Sequence, residues 1–441
     1  MLDRSGPVAC YRPRQATVKR RRLILFIAAA TVVVGLFLFK HLYPTSRLRL
    51  PAGTTTPQLS LGFAHGVVIA PDGTLWSWGA EDLGWPVLGY GQTNGAPAFS
   101  PVLRRISPAT NWVRVSAGQD HNLALKSDGT IWTWGSNHRG QMGAGTVGMA
   151  LQSSVVPSVP GTDWVEVVAA SVCSYALKKD GSLWAWGLNN FCQLGIGTSI
   201  DSPIPVQVGS STNWMRIRAG GVSAAGIQSD GSLWIWGGSP EFGNSSRGLS
   251  NNVAFPKRVT METNWVDVAV DYNIWLAVKS DGTLWAFGQN AHGYTGAPRS
   301  SFAIPKQIGT DTNWISVSSS RYGNLMRQRD GSFWKLSEES EFTPRPPSAA
   351  GSALLQRLDL PKEAVAVDIA GGATAAVTLD GKVWAHGVVL GERTAKDRIL
   401  QTIARFGSKI SWLRDLGTRT ENVYRDKPWP VRNIEPDEPA K

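Results

Sequence analysis

Cysteine is scarce in this chain, with three residues among 441. Small disulfide scaffolds carry a dense and usually even set of cysteines, so that class of fold is excluded. Cys173 and Cys192 lie close together in the sequence, and they either form one disulfide or remain two separate buried thiols, because cysteine is commonly a core residue. The framework of the protein must therefore come from another source.

The chain also lacks the short motifs of the common enzyme classes. Its six histidines show no His-x-x-x-His pair and no carboxylate-bearing zinc spacing. A Gly-x-Ser-x-Gly elbow, a phosphate-binding glycine loop and a Cys-His arrangement in a recognisable context are missing as well. We therefore predict no enzyme activity, no catalytic residue, no metal site and no cofactor. Sequence motifs do not reveal carboxylates that only the fold brings together.

Acidic residues are nearly absent from the N-terminal segment 1–50, which holds ten Lys/Arg and one acid, Asp3. Of the formal net charge of +11, this segment supplies +9 and leaves +2 for residues 51–441. DNA- and RNA-binding domains need positive charge clustered on the folded domain. We therefore predict no nucleic-acid partner.

The N-terminal charge instead flanks an apolar run. Residues 23–39 carry no charge, and a helix of that length would rise ~25 Å, enough to cross a thin bilayer. Because Lys19–Arg22 precede the run, the positive-inside rule predicts a basic cytoplasmic tail (1–22), a transmembrane signal-anchor helix (23–39), a stalk (40–56) and an extracytoplasmic remainder, periplasmic or at the cell surface. A cleaved signal peptide is the alternative, but its apolar run is usually shorter and followed by small residues, whereas Lys40 follows here.

One phrase returns seven times at intervals of about fifty residues: an Asp-Gly turn, then an apolar residue, a Trp and usually Trp-Gly. The phrase begins at Asp72, Asp128, Asp180, Asp230, Asp281, Asp330 and Asp380. A regular period of this length marks an array of supersecondary units. Asp-Gly suits a tight hairpin turn because glycine adopts positive φ without steric cost.

Each unit reads as a set of short strands. In the second unit, Trp112 opens a strand whose strict alternation would place Trp112 and Arg114 on one face and Val113 and Val115 on the other. A second strand leads into the Asp-Gly turn, and a third carries the Trp-Gly pair. Three- or four-stranded sheets that repeat in this way, without long helices, are typical of a propeller.

We therefore predict an all-β, seven-bladed propeller over residues 57–432, preceded by the single transmembrane helix and followed by a polar tail, 433–441. A propeller protects its sheet edges by closing into a ring. We expect closure to bring residues 57–62 next to 411–417, so that one blade draws on both ends of the chain.

The repeat resembles that of the RCC1 (regulator of chromosome condensation 1) family. The resemblance is clearest in AGQDHNLALKSDGTIWTWGSNHRGQMGAG at 117–145, it returns at 169–197, and it weakens in the sixth and seventh repeats. It implies a seven-bladed propeller that binds partners. Propellers of this type include a nuclear nucleotide-exchange factor for a small GTPase, which also binds chromatin, and secreted bacterial inhibitors of β-lactamases. The compartment predicted here fits a bacterial-type, membrane-anchored member.

Most of the twenty tryptophans stand at repeated slots, and a large ring at the same slot of every blade is first of all inter-blade packing. Trp85, Trp275 and Trp429 stand outside those slots and are the better candidates for an exposed role. His65 and His121 share one repeat position, so we expect them to be structural.

The segments after the third strand differ most between repeats, and variable loops on a repeated scaffold are where binding residues concentrate. The candidate partner-binding residues in these loops are Trp85, Tyr90, His138, Asn190, Phe191, Phe242, His292 and Tyr294. The leading interpretation is a membrane-anchored, extracytoplasmic scaffold that binds a protein through this face. A glycan or cell-wall binder would need Trp85 and Trp275 exposed. An envelope hydrolase or lyase would need two carboxylates to converge at the central channel.

Overall fold

The computed structural model describes most of the chain beyond residue 48. The described residues are 49–81, 86–91, 99–238, 252–270, 274–289, 301–320, 323–336, 355–370, 373–386, 429–430 and 432–433. They belong to one compact unit, Leu48–Lys441. Within these ranges no helix is long and apolar enough to cross a membrane. The predicted cytoplasmic tail, the anchor helix and the first half of the stalk lie outside the described residues.

The described strands form seven sheets, or blades, numbered in chain order. Blade 1 consists of β1 (Gln58–Leu61), β2 (His65–Ile69), β3 (Leu75–Ala80) and β4 (Phe99–Ser107); blade 2 of β5 (Trp112–Ala117), β6 (His121–Lys126), β7 (Ile131–Asn137) and β8 (Gly148–Pro157). Blade 3 consists of β9 (Trp164–Ala169), β10 (Cys173–Lys178), β11 (Leu183–Gly187) and β12 (Ser202–Gln207); blade 4 of β13 (Trp214–Gly220), β14 (Ser223–Gln228), β15 (Leu233–Gly238) and β16 (Asn252–Arg258).

The remaining blades follow the same pattern. Blade 5 consists of β17 (Trp265–Val270), β18 (Ile274–Lys279), β19 (Leu284–Gln289) and β20 (Ser301–Ile308). Blade 6 consists of β21 (Trp314–Ser320), β22 (Gly323–Gln328), β23 (Phe333–Leu336) and β24 (Leu355–Leu358). Blade 7 consists of β25 (Ala364–Ala370), β26 (Ala373–Thr378), β27 (Val383–His386) and β28 (Trp429–Pro430), and a final strand, β29 (Arg432–Asn433), lies on the outer edge of blade 1.

The blades close into a ring. Within each blade the strands follow chain order with antiparallel neighbours. The first strands of successive blades contact one another from β1 and β5 through to β21 and β25, and β25 contacts β1 again. The first strands therefore surround a central channel, and the predicted all-β, seven-bladed propeller is confirmed.

The Asp-Gly phrase builds the same hydrogen-bonded turn in blades 1 to 5. In blade 2, Oδ1 of Asp128 accepts bonds from the Thr130 amide at 3.0 Å and the Thr130 hydroxyl at 2.6 Å, and Nε1 of Trp132 donates to that hydroxyl at 3.0 Å. Equivalent bonds recur at the turns of blades 1, 3, 4 and 5. The Thr or Ser two residues after the Asp therefore links the turn to the first Trp of the third strand. We call this arrangement the turn relay.

The turn glycines also join neighbouring blades. At Gly181, where φ is 79°, a Cβ atom would lie 2.1 Å from the carbonyl oxygen of Thr212, just before blade 4. The Gly181 carbonyl in turn accepts a bond from the Trp214 amide at 3.1 Å. Only glycine combines positive φ with so close a backbone approach. The Asp-Gly turn is thus both a hairpin and an inter-blade contact.

Tryptophans fill the spaces between blades, as their repetition predicts. Trp78, Trp134, Trp186 and Trp236 of the third strands are fully buried. Trp112 at the start of blade 2 meets Trp132 edge-on, with 5.7 Å between ring centroids, and equivalent pairs recur in blades 3 to 6. Each such ring buries a large apolar area and stabilises the contact between two sheets.

The buried histidines link neighbouring blades, as expected. Nε2 of His65 lies 2.7 Å from Oδ1 of Asn122, and Nε2 of His121 lies 2.9 Å from Oγ of Ser174. Burial lowers the pKa of His65 to about 4, so its ring is neutral near pH 7. The two cysteines of blade 3 are separate buried thiols and do not form a disulfide, which decides between the two alternatives for Cys173 and Cys192.

A β-bulge interrupts the first strand of blades 2 to 7 immediately after its opening residue. The strict alternation predicted for β5 is therefore wrong at its start. Trp112 is buried, Val113 is the extra residue, and Arg114 resumes the pairing opposite Leu125. A bulge sets two residues against one on the partner strand and re-aims the extra side chain.

The seam between blades 7 and 1 involves both ends of the propeller. The Leu50 amide donates to the carbonyl of Gly381 at 2.8 Å, and the Arg49 guanidinium lies 2.8 Å from the Asp380 carboxylate. The parallel strand β29 pairs with β4, so blade 1 does draw on both chain ends. The described segment that returns to blade 1 is 432–433, at the outer edge, and the predicted segment 411–417 lies outside the described residues.

Candidate functional site

The propeller has two faces with different chemistry. The connections from first to second strand and from third to fourth strand lie on one side, which we call the loop face. The Asp-Gly turns and the connections between blades lie on the other side, which we call the turn face. Because alternate connections of an antiparallel sheet fall at opposite ends, the described candidates Tyr90, His138, Asn190 and Phe191, which follow third strands, belong to the loop face.

Two loops of this face, 138–147 in blade 2 and 188–201 in blade 3, have the same internal framework. In blade 2, Asn137 donates its side-chain amide to the Thr146 carbonyl and accepts from the Met142 amide, each at 3.0 Å. In blade 3, Asn189 makes the same bonds to Thr198 and Leu194, at 2.8 and 2.9 Å. One buried asparagine therefore holds each loop closed.

A second bond fixes the tip of each loop. The Gln141 side chain accepts from the Arg139 amide at 2.9 Å, and the Gln193 side chain accepts from the Phe191 amide at 2.8 Å. The two loops are thus superposable in their bonding, although the residues at their tips differ. His138 and Arg139 occupy the places that Asn190 and Phe191 occupy in the next blade.

The next blade anchors the loops of blades 1 and 2. Nε1 of Trp134 donates to the carbonyl of Val87 at 2.8 Å, and Nε1 of Trp186 donates to the carbonyl of Gln141 at 2.9 Å. These bonds tie a loop of one blade to a buried ring of the following blade. A rigid framework with variable tips is typical of a recognition surface.

The predicted binding residues differ in exposure. His138, Asn190 and Phe191 are half-buried at the loop tips. Nδ1 of His138 lies 2.6 Å from Oγ of Ser136 and 3.6 Å from Oδ2 of Asp120; burial lowers the pKa of its ring, and Asp120 opposes that shift.

Tyr90 packs against its own blade instead of standing free at a tip. Its hydroxyl donates to the Ser77 carbonyl at 3.2 Å, and the Arg104 guanidinium lies 5.4 Å from the ring centroid. Burial raises the pKa of this phenol. Four further candidates lie outside the described residues, namely Trp85, Phe242, His292 and Tyr294.

The central channel holds a charged network that sequence reasoning missed. Arg216 of β13 donates to the Asp267 carboxylate of β17 at 2.7 Å. Arg218, two residues further along β13, lies 3.1 Å from the Glu166 carboxylate of β9 and 3.9 Å from Asp267. Burial raises the pKa of Glu166, and Arg218 opposes that shift.

Carboxylates therefore do converge in the channel, but they act as acceptors between blades. Oδ2 of Asp267 accepts from the Val317 amide of blade 6 at 3.0 Å, while Oδ1 accepts from Arg216 and from the adjacent Val268 amide. Asp368 of blade 7 accepts from the Leu61 amide of blade 1 at 2.8 Å, and burial raises its pKa to about 6. These bonds explain the carboxylates as parts of the ring.

A second feature missed from the sequence is a ring of aliphatic side chains at the turn-face mouth of the channel. The bulge residue of each first strand in blades 2 to 7 is aliphatic: Val113, Val165, Met215, Val266, Ile315 and Val365. Four consecutive members, from blade 3 to blade 6, are 40–65% exposed. We call these six residues the mouth ring. The available signal was the aliphatic residue that follows the opening Trp in repeat after repeat.

Comparison with known protein families identifies the repeat. The model of the regulator of chromosome condensation (RCC1) repeat matches residues 72–125, 128–177 and 180–225, and a second RCC1-repeat model matches 112–141. The chain is an RCC1-like propeller. Each longer match begins at the Asp-Gly turn of one blade and ends in the second strand of the next. The RCC1 repeat therefore straddles two blades, which agrees with the inter-blade contact made by each turn.

Curated relatives of this RCC1-like propeller are distant. The Ultraviolet-B receptor UVR8 of Arabidopsis thaliana is 26% identical over 242 residues, which make up 54% of each chain. The Protein RCC2 homolog of Danio rerio is 34% identical over 132 residues, 30% of this chain and 26% of the relative. The chain thus spans about half of the first relative and about a quarter of the second.

Solved structures share the fold of this RCC1-like propeller. Human WBSCR16 is 19% identical, with a TM-score of 0.59 over 73% of this chain and 86% of the other. Prp20p from Saccharomyces cerevisiae is also 19% identical, with a TM-score of 0.53 over 63% of this chain and 70% of the other. At this identity the likeness concerns the fold alone.

Proposed function

We propose that this RCC1-like propeller is a protein-interaction scaffold that binds its partner through the loop face. The observation that supports this proposal most directly is the pair of loops in blades 2 and 3. They share one hydrogen-bonded framework but present different tip residues, His138–Arg139 and Asn190–Phe191. A fixed backbone with exchangeable tips provides shape and chemistry for recognition at low entropic cost.

Exposed apolar residues near these tips add to the argument. Val147 and Ile200, at the ends of the two loops, are 59% and 73% exposed. Apolar side chains beside adaptable polar ones are common at protein interfaces. A structural relative, Prp20p, is described with its binding properties to Gsp1p and histones. We extend from it only that a protein of this fold binds other proteins.

The glycan alternative loses one of its two required platforms. Trp275 is 2% exposed and packs edge-on against Phe287, with 5.3 Å between ring centroids, so it offers no face to a sugar. The hydrolase alternative required converging carboxylates. Glu166 and Asp267 do approach the same arginine, Arg218, but guanidinium and amide donors already engage them.

We extend the proposal to the cellular placement. The uncharged run 23–39, with basic residues before it, would hold the chain in a membrane with the propeller outside the cytoplasm. Alkaline carbonate extraction of membranes tests the anchor, and protease added to intact cells or spheroplasts tests the side on which the propeller lies. A chain that washes off at alkaline pH, or that protease reaches only after lysis, contradicts this part of the proposal.

Site-specific photo-crosslinking in the producing cells tests the binding face. A photoreactive amino acid is placed at Arg139 or Phe191, and at Gln307 on the outer strand of blade 5 as an exposed control. We expect both tip positions to yield one common protein adduct and Gln307 to yield none. No adduct from either tip, or the same adducts from Gln307, would contradict the loop face. Retention of the propeller on purified cell-wall material without any protein adduct would favour the glycan alternative.

A further inference from the structure

The turn face offers a second surface, which goes beyond the proposed loop-face function and does not depend on it. The bulges of the first strands turn aliphatic side chains toward solvent in consecutive blades. Val165, Met215, Val266 and Ile315 are 41%, 65%, 40% and 41% exposed. A single exposed aliphatic residue is ordinary, but here the same position is apolar and exposed in four consecutive blades. Six blades carry the bulge, and bulges commonly re-aim side chains beside binding sites.

A cavity of about 540 Å³ opens inside this ring, lined by residues of blades 1 to 4. Its lining combines two members of the mouth ring, Val165 and Met215, with five cationic side chains and a single acid, Glu166. The volume lies in the range of pockets that hold a small ligand or a short protruding segment. A folded domain would not enter it.

Part of the positive charge is already neutralised. Among the cavity's cations, Arg216 pairs with Asp267, Arg218 with Glu166, and Lys178 with Asp163. The two that have no carboxylate within 4.0 Å, among the residues that the structure describes, are Arg114 and Lys179, and both are exposed. The mouth therefore keeps a surplus of positive charge next to exposed aliphatic groups.

We propose that the turn-face mouth binds an extended acidic peptide segment of a partner protein, with its carboxylates at Arg114 and Lys179 and an aliphatic side chain against Val165 and Met215. Arginine binds carboxylates through two parallel N–H donors, and a partly enclosed site strengthens such bonds. The bulge residues Val165 and Met215 offer an apolar contact, and a small carboxylate or phosphate ion has no apolar group to fill it. This combination favours a peptide over a small anion.

An anionic membrane surface is the competing occupant, since it also presents negative charge. A membrane would contact the whole turn face. If a membrane were the natural occupant, replacing the leucines of a soluble acidic peptide should not weaken the binding of that peptide. The argument for a peptide is that the surplus charge lines one cavity together with the exposed apolar side chains of Val165 and Met215.

The test uses the full chain in an uncharged detergent. Its primary probe is a fluorescein-labelled peptide of sequence Gly-Glu-Leu-Asp-Leu-Glu-Gly, followed by fluorescence anisotropy. One matched peptide replaces the acids by their amides, and another replaces both leucines by serine. The variants are Arg114→Glu, Lys179→Glu and Met215→Asp. The matched controls on the outer strands are Lys257→Glu in blade 4 and Ile304→Asp in blade 5, which change an exposed cation and an exposed aliphatic residue in the same way.

We expect saturable binding of the acidic peptide that weakens as salt rises. Arg114→Glu, Lys179→Glu, Met215→Asp and both altered peptides should each weaken it by about tenfold or more, and the two outer-strand controls by less than about twofold. Thermal unfolding within about 2 °C of the parent shows that the exposed substitutions keep the fold.

Three results would overturn the proposal. The first is no saturable binding up to about 1 mM peptide, an affinity at the weak limit of specific recognition. The second is an equal loss of binding in the outer-strand controls. The third is binding to phosphatidylglycerol vesicles that depends on Arg114 and Lys179 while the peptide does not bind, which would assign the mouth to a lipid surface. None of these results bears on the loop-face crosslinks, so the two proposals fail separately.

Discussion

The regular seams between blades and the one seam that closes the ring use different chemistry. Between blades 1 and 2, Ser60 accepts from the Ala117 amide at 3.0 Å, and between blades 2 and 3, Ser116 accepts from the Ala169 amide at 2.9 Å. At the closing seam the equivalent acceptor is a carboxylate, Asp368, which binds the Leu61 amide. At this strand position a neutral hydroxyl thus joins blades 1 and 2 and blades 2 and 3, whereas a half-buried carboxyl joins the last blade to the first.

The Asp-Gly turn shows the same contrast. Blades 1 to 5 carry Thr or Ser two residues after the Asp, and this hydroxyl completes the turn relay. Blade 7 has Lys382 there, and the buried Nε1 of Trp384 has no hydrogen-bond partner among the residues that the structure describes. Its aspartate, Asp380, instead contacts Lys382 and Arg49, each at 2.8 Å. In blade 7 the turn relay is therefore absent among the described residues, and the turn aspartate Asp380 instead forms an ion pair with Arg49, in the segment before blade 1.

The largest effect is expected at a regular seam, from Gly181→Ala. The new Cβ would meet the Thr212 carbonyl at 2.1 Å, and the backbone would keep a positive φ that alanine disfavours. We expect the free energy of unfolding to fall by ~3 kcal/mol or more, measured by denaturant unfolding followed through tryptophan fluorescence. Gly209→Ala is the matched control, because its φ is also positive but no described atom lies within 4 Å of the new Cβ; it should cost only ~1 kcal/mol.

Asp368→Ser should convert the closing seam to the regular type and change the pH dependence of stability. The raised pKa of about 6 means that the native state resists ionisation of this carboxyl, so the wild type loses stability as pH rises from about 4 to 6. The stability of the variant relative to wild type should therefore improve by about 1–3 kcal/mol between pH 4 and pH 7. A pH-independent difference in paired unfolding curves would show that the carboxyl is not strained by burial.

Thr283→Val should break the turn relay in blade 5. The substitution removes the hydroxyl that donates to Asp281 at 2.6 Å and accepts from Trp285 at 2.7 Å, leaving a partly buried indole N–H without its acceptor. We expect a loss of ~1–2 kcal/mol in the free energy of unfolding. Thr283→Ser keeps the hydroxyl and serves as the control. A valine variant as stable as the serine variant would mean that the relay contributes no stability.

Arg49→Gln should have the smallest effect, because the ion pair at the closing seam is exposed. Contacts with Lys382, Thr378 and Arg49 hold the pKa of Asp380 well below its usual range. The stabilisation from the lowered pKa is present above pH 4 and is lost as pH falls toward the native pKa. The variant should lose less than ~1 kcal/mol at pH 7, and less still in 0.5 M salt or at about pH 2. A loss that is unchanged by salt would point instead to the bond that Nε of Arg49 donates to the Asp380 carbonyl at 3.1 Å.

Most of the fold could be predicted from the sequence repeat. A period of about fifty residues with a fixed turn leaves few alternatives to a ring of small sheets. The equal spacing of Trp and Asp-Gly also identified the buried rings correctly. The bulge after Trp112 could not be predicted from the sequence. Val113 continues an apparently perfect alternation of apolar and polar residues, and it is recognised as the extra residue only when β5 is paired with β6.

The candidate sites were harder to predict, because they depend on the ring in space. Arg218, Glu166 and Asp267 stand about fifty residues apart in the sequence, and only the circular order of the blades brings them together. The packing of Tyr90 was also not predictable, since the hydroxyl of this aromatic residue in a variable loop donates to a carbonyl of its own blade. Loop variability identifies where recognition residues lie, but it does not show which of them face solvent.

The parallel pairing of β29 with β4 has a consequence for biosynthesis. Arg432 lies beside Val102 although roughly 330 residues separate them along the chain. At ~5–20 residues per second, a ribosome needs about fifteen seconds to a minute to deliver the second partner after the first has emerged. During that interval the outer edge of blade 1 has no native partner strand, and an open edge can pair with another chain. The native partner of Val102 and Leu103 on this edge thus becomes available only when residues 432–433 have been synthesised.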